Sequence, residues 1–190
     1  MNIIERAKNI LLTPAQEWEV IAKETTTLSE LLNMYVVPLA AIPAVASLVA
    51  GFVMRGGMSL RFIITTAIVT YASAVIAFVI TVYVVDFLAN NFKSEKNLNK
   101  SAQLVAYSAT ASWVAGILAI VPMIGGLASL AGGIYAIYLM YLGIGPMKGT
   151  PVDQRIVYVI IVCVVLVGVA IALASVLGMF LVAGFAASGL

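Results

Sequence analysis

The sequence contains no histidine and a single cysteine, Cys163, among its 190 residues. Without histidine there can be no His-ligated zinc, no Ser-His-Asp triad and no Cys-His pair. One cysteine cannot close an intramolecular disulfide, and within an apolar run it reads as a small hydrophobe. Charge is scarce too. Asp, Glu, Lys and Arg make up 9% of the chain, against roughly a quarter in a soluble domain. Hydrophobic residues make up 63%. So few charges cannot solvate a domain of this size, and the composition places the chain in the membrane class. The formal net charge of +2 forms no basic stripe, so no nucleic-acid partner is expected. Phosphate loops, dinucleotide fingerprints, CxxC pairs and HExxH are missing. No catalytic, metal-binding or cofactor-binding set emerges; a non-enzymatic protein without a cofactor is expected.

What the chain does contain is apolar runs long enough to cross a bilayer, for which about 20 residues suffice. Five are read as spans, at 31–54, 62–88, 102–121, 127–145 and 156–180. The predicted architecture is all-α: a polytopic bundle of five transmembrane helices (31–190) preceded by cytoplasmic or interfacial amphipathic helices (1–30). The mixed charged and apolar opening MNIIERAKNILL is not expected to act as a cleavable signal sequence. Residues 2–12 carry Ile3, Ala7, Ile10 and Leu11 on one helical face, with Glu5, Arg6, Lys8 and Asn9 assigned elsewhere. Thr13, Pro14 and Gln16 predict a capped second helix. Its apolar face holds Trp18, the expected interfacial anchor, with packing against the protein's own loops as the alternative. Thr27 and Glu30 form a capping box that opens the first span, which Pro38 and Pro43 are expected to kink. Arg55 and Arg61 bracket a Gly-Gly turn, Pro122 with Gly125-Gly126 reads as a tight hairpin, and 90–100 and 146–155 read as loops. The apolar run after Ile156 is read as one long span whose far end, around Gly178 and Gly184, could be a loose tail.

The basic residues orient the chain. With a cytoplasmic N-terminus, Arg6, Lys8, Lys23, Lys93, Lys96, Lys100, Lys148 and Arg155 lie inside, and only Arg55 and Arg61 outside. This is the positive-inside pattern. It predicts an integral membrane protein with its N-terminus cytoplasmic and its C-terminus outside.

Among ionisable residues Asp86 stands out, because a carboxylate near the membrane is costly unless paired or hydrated. Tyr83, Asp86 and Asn90 are spaced to share a helical face, with Lys148 or Arg155 as counter-charges. The functional reading is a proton, cation or partner site; the structural one is an acid at a helix end. Small residues recur at Gly125, Ser129 and Gly133, and at Ala170, Ala174 and Gly178, as close-packing surfaces. Hydroxyls in spans two and three, such as Thr66, Thr70, Ser108 and Thr110, are expected mostly to bond their own helices.

The segments PAQEW, LLNMYVVPLAAIP with Tyr35 and Pro38, and AYSATASWVAGILAIVP with Tyr107, follow one another over roughly 8–180. In this pattern the chain resembles the Yip family of Rab-interacting membrane proteins, and in particular its bacterial branch. It departs from the family where Ala106 precedes Tyr107 and where Ala111 stands in place of a proline. The resemblance implies a five-helix fold and a role in organising membranes, and supplies no catalytic residues. Eukaryotic members bind prenylated small GTPases, a role not carried over here. The expected partners are the lipid bilayer, other membrane proteins or further copies of this chain. The alternative is a small ion or solute transporter with a polar site around Asp86.

Overall fold

A computed structural model describes residues 2–53 and 59–187. Among these the chain is all-helical, without strands. Two short helices, α1 (Ile3–Leu12) and α2 (Pro14–Ile21), precede α3 (Leu28–Val53), α4 (Leu60–Phe92), α5 (Leu98–Ile120), α6 (Pro122–Lys148) and α7 (Val152–Ala187). All of α3 to α7 contain a stretch long and apolar enough to cross a membrane. The expected turn at Arg55, Gly56 and Gly57 lies outside the described residues.

The capping box opens α3 as its residues predict. The Thr27 amide donates to Glu30 at 3.0 Å, and the Glu30 amide donates back to the Thr27 hydroxyl at 3.3 Å. One turn later Leu32–Val36 adopts π-helical bonding, and the Val37 amide reaches Leu32 O. A proline ring clashes with the carbonyl four residues earlier. Widening the turn ahead of Pro38 relieves that clash while keeping the chain helical.

Other punctuation signals are absorbed differently from expectation. Thr13 makes no side-chain cap on α2; its hydroxyl donates instead to Asn9 O at 3.1 Å, at the end of α1. Gly125 and Gly126 belong to the first turn of α6, and the reversal of direction falls at Val121, after a 3-10 stretch at Gly116–Ile120. Helix α6 also continues through Pro146, where a loop was expected. Its last turn buries Ile144, Met147 and Lys148, and that burial outweighs one lost backbone bond. Gly149, at φ +63°, then supplies the left-handed cap. At the far end α7 runs through Gly178 and Gly184 to Ala187 without a break.

Helix α5 is the hub, with 56% of its apolar window buried, whereas α7 has 17%. Contact between α5 and α6 is close at Gly132, where an added Cβ would sit 2.5 Å from the Ala115 Cβ. Gly133, expected at the packing surface, has nothing within 4 Å, and Ser129 is exposed.

Helix lengths exceed the bilayer. The 33 residues of α4 measure about 50 Å, and a hydrocarbon core about 30 Å. The paired charges gather toward one end of the bundle, beside the 93–97 and 149–151 connections, and we call this end the neck.

Candidate functional site

Two clusters of buried charge occupy this neck. The first joins α4, α5 and α6. Lys148, the last residue of α6, has a side chain with no exposure, and that of Asp86 is 11% exposed. The Lys148 ammonium donates to Asp86 Oδ1 at 3.2 Å, to the Ser101 hydroxyl at 2.6 Å and to Asn97 O at 3.4 Å. Ser101 has one hydroxyl proton, and both Asp86 Oδ1 and Asn97 O lie 3.0 Å away as acceptors. With Lys148 donating to the same oxygen, ammonium, hydroxyl and carboxylate close a triangle across three helices. Around it the loops are fastened. The Glu95 amide donates to Lys148 O at 2.8 Å, Ser94 and Thr150 share a 2.8 Å hydroxyl bond, and the Tyr158 hydroxyl donates to Val85 O. At the rim, the Asn97 amide and then the Lys100 ammonium hold the Glu95 carboxyl below its usual range.

Of the residues predicted to share this site, Asp86 and Lys148 meet. Tyr83 and Asn90 do not: Tyr83 is 54% exposed and Asn90 is exposed as well. Tyr83 sits three residues before Asp86, on the flank of α4 that faces outward, and Asn90 falls in the 3-10 turn Ala89–Phe92, where helical spacing changes. Arg155 turns elsewhere, donating from Nε to Thr150 O at 3.0 Å, with its guanidinium against Gly145.

The second cluster was not anticipated. Arg6 is buried and pairs with both Glu17 and Glu24. Its guanidinium carbon stands 5.4 Å from the centroid of the Tyr107 ring, within cation–π range. Tyr107 in turn meets Tyr35 edge-on at 4.8 Å and Trp18 at 6.3 Å. Thr110 donates its hydroxyl proton to Ala106 O, so it receives the 2.8 Å bond from the Tyr35 hydroxyl. Tyr35 and Tyr107, singled out by their sequence context, are thus joined to the N-terminal helices, while Pro38 acts through the backbone one turn further on.

Trp18 is not at the lipid interface. It is 1% exposed, and its indole fills the notch at Gly143, where an added Cβ would lie 2.5 Å from the ring. The Tyr135 hydroxyl donates to Leu11 O at 2.7 Å. The pair α1–α2 is therefore seated on α5 and α6, deep in the neck. Tyr107 lies six residues beyond Ser101, so the Arg6 layer sits about 9 Å further along α5 than the Lys148 layer. A residue-level signal for this existed: Arg6 precedes Ile10 by one turn and so borders the apolar stripe. Among the described residues no group of three or more His, Cys, Asp or Glu could hold a metal ion.

These features define an integral membrane protein: a bundle of five helices capable of spanning a bilayer, with a polar neck closed by an N-terminal helix pair. A family model, the Yip1 domain, matches residues 8–174. The chain belongs to the Yip family. No curated protein sequence and no solved structure matches it.

Proposed function

We propose that this protein is a non-enzymatic organiser of a bacterial inner membrane, of the bacterial branch of its family, that works by binding another membrane protein or its own copies through the outer face of α1–α2. The observation that carries this reading is the asymmetry of that helix pair. Its inner face is fixed by Arg6, Trp18 and Ile10, whereas its outer face presents Ile4 at 75% exposure, Leu12 at 68% and Val20 at 50%. Exposed Glu5, Lys8, Glu19 and Lys23 lie among them. Apolar side chains held outward on a rigid base, rimmed by charges of both signs, suit recognition of a partner or the headgroup region. The eight-to-two distribution of basic residues supports a cytoplasmic neck and an outer C-terminus.

The transport reading has less to support it. The Asp86 carboxylate is already engaged by Lys148 and Ser101, and Tyr83 and Asn90 stand apart from it. A buried charge with its counter-charge in contact holds helices together.

The test is affinity purification from native membranes followed by native mass spectrometry, comparing the wild type with a Leu12→Glu/Val20→Glu variant. A stoichiometric species retained by the wild type and lost from the variant is expected. Equal recovery from both, or no bound species from either, overturns the assignment. Asp86→Asn in liposomes covers the other reading: a pH-dependent flux in the wild type that this substitution changes would favour transport.

A further inference from the structure

Of the basic side chains among the described residues, Arg6, Lys100, Lys148 and Arg155 are buried or half-buried. The first three each meet a carboxylate: Arg6 pairs with Glu17 and Glu24, Lys100 with Glu95 at 3.3 Å, and Lys148 with Asp86. Arg155 is the anomaly. Its Nε donates to Thr150 O, and the N–H groups of Nη1 and Nη2 have no acceptor among the described residues. A guanidinium is always charged and carries five donors, so this charge is left unneutralised by the chain. The side chain is nevertheless held in place. Thr150 is buried, and its hydroxyl donates to Ile144 O at 3.1 Å, which fixes the acceptor. The guanidinium lies across Gly145, where an added Cβ would collide with its carbon and both terminal nitrogens. Gly143 and Gly145 stand about 200° apart around α6, so this seat is on the opposite side of α6 from the Trp18 notch.

We infer that the seam between α6 and α7 at the neck is a binding site for an anionic phospholipid, whose phosphate is held by the Nη1 and Nη2 donors of Arg155. The planar fork of a guanidinium matches two phosphate oxygens at once. The neighbours of the arginine set the class of ligand. Arg155 lies one turn into α7, between Val152, 69% exposed, and Ile156, 57% exposed, and Ile160 follows at 53%. Exposed apolar surface on a spanning helix faces lipid, so the molecule beside this charge has an acyl chain as well as an oxyanion. A free phosphate satisfies the guanidinium but not the apolar residues around it. A zwitterionic lipid brings a second positive charge towards an arginine that has no carboxylate to spare. The level also suits a headgroup, since the phosphate meets Arg155 at the start of the apolar run and enters no hydrocarbon. The site is separate from the α1–α2 face and does not depend on the function proposed above.

The test titrates the full chain in mild detergent with phosphatidylglycerol and reads bound species by native mass spectrometry. Phosphatidylcholine with the same chains and water-soluble glycerol phosphate serve as comparisons. Saturable retention of phosphatidylglycerol is expected, with phosphatidylcholine lost at lower collision energy and no displacement by excess glycerol phosphate. Arg155→Gln removes a charge-assisted hydrogen bond and lowers the apparent affinity for phosphatidylglycerol about tenfold. Gly145→Ala keeps the charge but displaces the guanidinium from its seat, and weakens binding as well. Lys96→Gln removes an exposed charge at the same end of the bundle and leaves binding unchanged. The variants keep the wild-type emission of Trp18 and Trp113, which unfolding would shift. The inference is overturned if phosphatidylcholine is held as tightly as phosphatidylglycerol, if glycerol phosphate competes on equal terms, if Arg155→Gln binds like the wild type, or if Lys96→Gln weakens binding as much as Arg155→Gln. An acidic protein released by Arg155→Gln while phosphatidylglycerol stays bound would overturn it too.

Discussion

Replacing Lys148 with methionine tests whether the neck is held by desolvated charge. The substitution keeps most of the side-chain volume and leaves the Asp86 carboxylate, 11% exposed, with only the Ser101 hydroxyl beside it. Removing one member of a buried pair costs about 3–5 kcal/mol, because the remaining charge stays buried and unpaired. Asp86 sits near the polar end, where water approaches, so the lower figure, about 3 kcal/mol, applies. In a chain of this length each kcal/mol moves the midpoint about 2–4 °C, which predicts a fall of about 6–12 °C. Thermal unfolding in mild detergent can be followed by the emission of Trp18 and Trp113, the two tryptophans of the chain, both buried in the folded protein. The double variant Asp86→Leu/Lys148→Met should recover most of the loss, because an apolar replacement of a buried pair is often neutral or stabilising. A single variant melting within about 1 °C of wild type, or a double variant no better than the single, would refute the reasoning.

Gly143→Ala places a methyl 2.5 Å from the Trp18 ring and should cost about 1–3 kcal/mol by overpacking. In a Trp113→Phe background the Trp18 emission should move to the red as the helix pair loosens, and an unmoved spectrum would contradict the seating of α1–α2. Glu95, whose carboxyl is held below 4.5 in the folded protein, contributes stability fully above that value and loses it as the pH falls through the lower folded value. Glu95→Gln should therefore flatten the acid limb of a melting-temperature profile, and an unchanged limb would show that the rim contacts do not persist in solution. For orientation, in a Cys163→Ser background, an impermeant maleimide applied to whole cells should label Arg61→Cys and spare Lys96→Cys; the converse would invert the topology.

The spanning helices were legible because the bilayer imposes a length that an apolar run either meets or misses, and the Thr27–Glu30 box was legible because its partners are three residues apart. Asp86 could be singled out, since a carboxylate beside the membrane requires a partner. The contact with Lys148 spans 62 residues, so sequence alone could offer Lys148 and Arg155 equally. The partners of Arg6 were missed, and the two readings of Trp18 stayed open, for the same reason. Their surroundings are built from Tyr107 and Gly143, and no local periodicity reports that an arginine flanking an apolar stripe will meet two glutamates and a tyrosine ring. Pro146 misled in the other direction: a helix-breaking residue was retained in a helix by burial that only the assembled bundle supplies.

The seating of the N-terminal helix pair has a consequence for how the chain is made. Leu11 leaves the ribosome long before Tyr135, from which it is separated by 124 residues, and the notch at Gly143 emerges later still. Contacts of such sequence separation form late. Until α5 and α6 are both in place, the seat formed by the Tyr107 ring and the Gly143 notch is incomplete, so the first segment synthesised should be among the last to dock. Nascent or truncated chains that stop short of α6 would display this segment undocked. Protease sensitivity within residues 2–24 would then distinguish a completed bundle from an unfinished one.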